Sequence, residues 1–188
     1  MDSTSATLLH RLRQPTNQSA WNQFVRLYTP LLFYWAHKAG LSEADSADLV
    51  QDVFCVLLRK LPEFEYDAGQ SFRAWLRTVL LNTRRNRARQ RVIRTAGGIE
   101  DSDHEPAVPD GLVELAEADY RRHLIARAVQ LMQAEFEPAT WQACWQVTVE
   151  GRPPAEVARE LGLSTNAVYL AKSRVLARLR RELDGLLE

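Results

Sequence analysis

The stretch STNAVYLAKSRVLARLRREL, residues 164–183, decides how this chain is read. Ser164 suits a helix N-cap, because its hydroxyl accepts from an orphan amide of the first turn. Val168, Val175 and Leu179 then fall on one face at helical spacing, while Tyr169, Ser173 and Arg174 project elsewhere. Just before it, Pro153 to Leu161 predicts a shorter helix with Val157, Ala158 and Leu161 inward, joined by a tight turn at Gly162–Leu163. A packed face and an offered face, on the second of two helices, is how a DNA-reading element is built.

The 188 residues suit one domain or two small ones, and 46% hydrophobic content with five Trp is enough for real cores. No apolar run approaches the ~20 residues of a membrane helix. The start MDSTSATLLHRLRQP has no signal-peptide h-region, so the expectation is a cytoplasmic protein with no membrane contact. Cys55 and Cys144 lie in separate helical patterns, which favours buried thiols over a disulfide. The histidines at 10, 37, 104 and 123 have no ligand spacing, so neither a metal nor any other cofactor is expected. The formal charge is zero, yet it is laid down in blocks: eight Arg and no acid from Ser71 to Arg94, then eight acids and no Lys or Arg from Thr95 to Asp119. Blocks of this kind have to be judged one at a time.

Along the chain, residues 4–13 predict a short amphipathic helix with Leu8, Leu9 and Leu12 inward. Trp21, Phe24, Val25, Tyr28, Leu31, Leu32 and Trp35 predict the next, kinked at Pro30 and closed by Gly40. Ser42 starts a third, whose stripe is Leu49, Val50, Val53, Phe54, Leu57 and Leu58. Asp48, Gln51 and Asp52 gather on its outer face, which periodicity alone reads as solvated. After Pro62 comes a loop that carries Phe64 and Tyr66. Ser71 then caps a long helix, packed through Phe72, Trp75, Leu76, Val79 and Leu80 and basic thereafter. Arginines continuing from an aromatic surface meet the needs of single-stranded nucleic acid, phosphate on charge and base on ring. Residues 95–112 have the Gly, Pro and acid content of a linker. Beyond it, helices are expected from Val113 to Glu135 and from Pro138, the latter with Trp141, Cys144, Trp145 and Val149 inward and Gly151 at its end. No strand pattern or repeat appears. The expected fold is all-α: a helical domain at 1–94, an acidic flexible linker at 95–112, and a second helical domain at 113–188 ending in helix-turn-helix.

This order of elements resembles the extracytoplasmic-function sigma factors, the two-domain initiation factors of bacterial RNA polymerase. DLVQDVF (48–54), SFRAWLRTVLLNTRR (71–85) and EVARELGLSTNAVYLAKSRVLARLR (156–180) carry the resemblance. It implies a non-enzymatic protein that binds core polymerase, through the largest subunit's clamp helices and the flap, and then promoter DNA. Asp48, Gln51 and Asp52 would dock on the clamp helices. The loop Phe64–Gln70 and the helix bearing Trp75, Arg77 and Asn82 would read the melted minus-ten element, with flipped bases held by Asn82 and by Phe64 or Tyr66. Arg84, Arg85 and Arg87 would hold its backbone. In the minus-thirty-five major groove, Tyr169, Leu170, Ser173 and Arg174 match base-reading positions, Arg174 being suited to guanine. Thr165, Asn166, Lys172 and Arg178 would meet phosphates. The chain departs from the family at Tyr169 and Ala171, where relatives are often basic, and at Pro153, where a Ser or Thr cap is usual and its loss costs roughly 1 kcal/mol. The resemblance also implies an acidic linker threading the channel that nascent RNA later fills, which a solubilising tether explains equally well. Many relatives are held by an anti-sigma factor, a dependence nothing in this sequence encodes.

The alternative is an autonomous helix-turn-helix regulator. It explains 113–188 equally well but leaves the acidic face and the arginine helix without a shared purpose. A nuclease would need clustered carboxylates or histidines, and none converge in the sequence.

Overall fold

A computed structural model describes residues 8–14, 16–64, 72–96, 111–184 and 186, with side chains described at all of these except 92–96 and 111–118. Every regular element among them is helical, which makes the chain all-α as expected. They group into two compact units, Leu8–Leu124 and Ile125–Leu187.

In the first unit, α1 (Leu8–Leu12) buries its three leucines and packs on α2 (Gln18–Lys38). Asn17 caps α2, its Oδ1 accepting from the Ala20 amide at 3.1 Å. The helix runs on through Pro30, which sits on its exposed side. It closes on Gly40 at φ 82, with Gly40 N–H donating to the His37 carbonyl (2.9 Å) and Leu41 N–H to that of Ala36 (3.3 Å). This pair of bonds needs a left-handed residue, which is why glycine stands there.

Ser42 caps α3 (Glu43–Lys60), accepting from the Asp45 amide at 3.2 Å and donating to the Asp45 carboxylate at 2.9 Å. Leu49, Val50, Val53 and Leu57 are buried as their spacing predicts, each such side chain contributing about 1.5–3 kcal/mol by burial. Leu58 does not join them; it is 46% exposed, one position beyond the stripe that α2 and α4 cover. A 3-10 turn, Leu61–Glu63, follows around Pro62. Helix α4 (Phe72–Ala96) runs two residues past its expected end. Phe72 meets the rings of Phe24 and Tyr28 at 6.1 and 5.8 Å, largely edge to face, and so joins α4 to α2.

Helix α5 (Gly111–Gln133) is shared by both units. The sequence reading placed all residues from 113 in the second domain, whereas the division falls at Leu124. Tyr120 is the reason: it is fully buried, its hydroxyl bonds that of Tyr28 at 2.9 Å, and its ring stacks near Trp35. Beside it the buried Asp119 accepts from Tyr34 (2.7 Å) and Lys38 (2.9 Å) and pairs with Arg122. The Lys38 ammonium and the Tyr34 hydroxyl hold the Asp119 carboxyl far below the ordinary carboxylate range.

In the second unit, α6 (Pro138–Thr148), α7 (Pro154–Leu161) and α8 (Thr165–Leu183) pack together, and α6 and α8 meet the rest of α5 at Met132. Ala143, Val157, Ala158, Val168 and Ala171 form one core, and Met132, Cys144 and Val175 another. The inward face of α6 therefore differs from the expected one. Trp145 is 39% exposed, and Val149, past the last helical residue, is 60% exposed. Small Ala143 takes the central place instead, packed with Val157 and Ala158 of α7 and Val168 and Ala171 of α8. Cys144 is buried as expected, but Cys55 is exposed; both are free thiols.

Candidate nucleic-acid interface

Helix α8 owes its direction to the turn before it. Gly162 adopts φ 66 and ψ 29, its amide and that of Leu163 both closing on the Ala158 carbonyl. Ser164 then caps α8, accepting from the Ala167 amide at 3.1 Å. Pro153, by contrast, gives α7 no side-chain cap. Val168, Ala171 and Val175 turn inward, so the residues between them must turn outward. Tyr169 is 55% and Leu170 48% exposed, and Thr165, Asn166, Ser173 and Arg174 are exposed with them. Lys172 is half-buried. Arg178 stands apart from this face. Its guanidinium forks onto Glu135 at 3.1 and 3.2 Å and pairs with the buried Glu182, so it ties α8 to the end of α5.

In the first unit, the acidic face of α3 and the basic half of α4 meet. Asp48 and Gln51 are exposed and Asp52 half-exposed on α3. Arg87 of α4 lies between Asp48, at 3.0 Å, and Asp52, while Arg91 pairs with Asp45. Arg91, with Ser42, holds the Asp45 carboxyl below its ordinary range. The sequence reading gave Asp48 and Asp52 to one partner and Arg87 to another, and had no means of pairing residues 35 and 39 positions apart.

Between the last turns of α3 and the middle of α4 lies a groove of about 410 Å³. Trp75 and Asn82, both candidates for minus-ten DNA, line it, and with them come Arg59, Lys60, Thr78 and Asn86, which sequence reasoning passed over. The signal was available in part: Arg59 and Lys60 are the basic last turn of α3, and Asn86 lies one helical turn beyond Asn82. Phe64 lies against Trp75, ring centres 4.5 Å apart, and near Phe72 at 5.8 Å. Tyr66 and the rest of the loop to Ser71 lie outside the described residues, as do linker residues 97–110. Arg77, Arg84 and Arg85 are half-buried along α4. The second unit has a groove of its own, about 580 Å³, lined by Trp141, Trp145, Leu161 and several glutamines. Among the described residues no cluster of three His, Cys, Asp or Glu is placed to hold a metal, and no helix is long and apolar enough to cross a membrane.

The Sigma-70 region 2 family matches residues 24–92, which hold α3, most of α4 and the groove between them. The RNA polymerase sigma factor NccH of Alcaligenes xylosoxydans xylosoxydans is 31% identical over 176 residues, which cover 92% of this chain and 89% of NccH. The chain belongs to the extracytoplasmic-function sigma factors. The sigma factor is also 28% identical over 182 residues to the sigma factor CnrH of Cupriavidus metallidurans, across 90% of this chain and 89% of CnrH. Similar solved structures include CnrH in complex with the cytosolic domain of CnrY, at 26% identity, 95% and 96% coverage of the two chains and a TM-score of 0.37. The sigma factor RpoE with the anti-sigma factor NepR from Bartonella quintana gives 22%, 87%, 96% and 0.34. Sigma factors bind core RNA polymerase and serve initiation rather than catalysis. A free-standing regulator is thereby set aside, since the relatedness runs through both units.

Proposed function

We infer that this sigma factor directs promoter-specific initiation through four surfaces. The exposed outer face of α3, with Asp48, Gln51 and Asp52, docks on the polymerase clamp helices. The α3–α4 groove takes unpaired minus-ten bases: Asn82 and Asn86 supply amides, Trp75 and Phe64 supply rings, and Arg59 and Lys60 supply charge for phosphate. α7, the Gly162 turn and α8 form a helix-turn-helix whose outer face reads the minus-thirty-five major groove. Arg178, committed to Glu135 and Glu182, is assigned to holding that unit together and not to phosphate. The groove beside Trp141 and Trp145, where Val129 and Leu161 stand among four glutamines and two glutamates, suits an amphipathic helix of the polymerase flap. The protein works in the cytoplasm, and an anti-sigma factor, such as NepR is for RpoE, would compete for these surfaces.

The observation that carries this reading is the outward placement of Tyr169, Leu170, Ser173 and Arg174 on a helix whose other face is fully packed. Two of the four are apolar or aromatic, which fits contact with thymine methyls beside one arginine for guanine. Binding of polymerase holoenzyme to a promoter library tests it. Arg174→Ala is expected to cost about 1–3 kcal/mol and to relax one base position. An equal loss on every promoter would make Arg174 a phosphate contact and remove it from the reading face.

A further inference from the structure

We propose that in the unbound sigma factor α3 masks part of α4, the carboxylates that dock on polymerase holding arginines that grip DNA, so that the two binding events reinforce each other. The proposal rests on the assignment of α3 to polymerase and of Arg87 to the backbone of the melted strand, and it extends that role to Arg91, one turn further along α4. Its basis is a ladder of ion pairs between the two helices. Arg87 reaches across to Asp48 at 3.0 Å and to Asp52, and one turn further along α4 Arg91 pairs with Asp45. Every carboxylate on that side of α3 from 45 to 52 thus already has a guanidinium on it.

Each pair has one open partner: Asp48 is 61%, Asp52 47% and Arg91 59% open to solvent at the side chain, while Arg87 is 25% and Asp45 32% open. Ion pairs in that setting hold weakly, because water screens the attraction and two long side chains must be kept in one geometry. They are a mask and not a lock. A cationic polymerase surface that takes Asp48 and Asp52 leaves Arg87 facing positive charge, and a phosphate is the partner that then relieves it. Conversely, DNA that takes Arg87 and Arg91 bares the acids for docking. Coupling of this kind is reciprocal: whatever factor polymerase adds to DNA affinity, DNA adds to polymerase affinity.

The test uses the full chain and a fluorescein-labelled single-stranded DNA of mixed sequence, followed by anisotropy over a range of salt. The near-isosteric triple variant Asp45→Asn/Asp48→Asn/Asp52→Asn removes the mask, and circular dichroism checks that it folds. Free of polymerase, it is expected to bind about fivefold more tightly than the parent, as weak pairs allow. Its log–log salt slope should steepen by about 1.4, the value for two more phosphate contacts on a single strand. The same triple change made over Arg87→Gln/Arg91→Gln should leave the slope unaltered, with only the gain owed to net charge. Equal gains with and without the arginines, or no gain, overturn the mask while polymerase holoenzyme still needs Arg87 and Arg91 for DNA. Holoenzyme indifferent to both arginines overturns the assignment of α4, and the mask with it.

Discussion

Tyr28 and Tyr120 offer a sharp test of where the first unit ends. Both are fully buried, and their hydroxyls, 2.9 Å apart, are each other's hydrogen-bond partners. Tyr28→Phe removes one hydroxyl and leaves the other in a dry site with nothing to bond, which costs about 1–3 kcal/mol; Tyr120→Phe does the same in reverse. Removing both leaves two rings of nearly the same shape and no orphan. The double variant is therefore expected to lose less than about 1 kcal/mol, well short of the sum. Urea unfolding followed by tryptophan fluorescence reads this directly, because Trp35 lies against Tyr120 and Trp21 against Phe24 in the same unit. A single-variant cost near 2 kcal/mol moves the midpoint by roughly 1 M at an m-value of about 2 kcal/mol/M. Single variants that unfold at the parental midpoint, or a double variant that loses the full sum, would show that this stretch of α5 does not belong to the first unit.

Asp119 sets the acid limit of the same region. Its folded carboxyl titrates far below the ordinary value, so its contribution is complete above about pH 4 and is lost as pH falls through that range toward the folded pKa. Asp119→Asn should lower stability at neutral pH and flatten the acid side of the stability profile; a parental acid slope would refute the assignment. In the second unit, a Cβ at Gly162 would meet no atom within 4 Å, so Gly162→Ala costs only its left-handed backbone, about 1–2 kcal/mol. Thermal unfolding measures that loss, and an unchanged midpoint would mean the turn does not need its positive φ.

What the sequence disclosed, it disclosed through local physics. Ser42 and Ser164 bond their first-turn amides, Gly40 and Gly162 take left-handed turns, and the α8 face follows from a spacing of three and four. What it hid depends on neighbours. Val149 and Trp145 were expected inward because they are large and apolar, yet Ala143 holds the place against α7 and α8, and Val149 lies past the end of α6. The Arg87 pairs with Asp48 and Asp52, and the Tyr28–Tyr120 bond, join residues that no periodicity relates. Arg178 lies near the reading face in sequence, and only the position of Glu135 shows that it points home.

Run-off transcription from a promoter library, with core polymerase from the protein's own cell, is the most direct test of the central claim. The chain is expected to produce discrete transcripts that core alone does not make, and Asp48→Arg/Asp52→Arg is expected to abolish them. No transcripts beyond those of core alone, or full activity from the doubly reversed variant, would contradict a sigma factor that works through the outer face of α3.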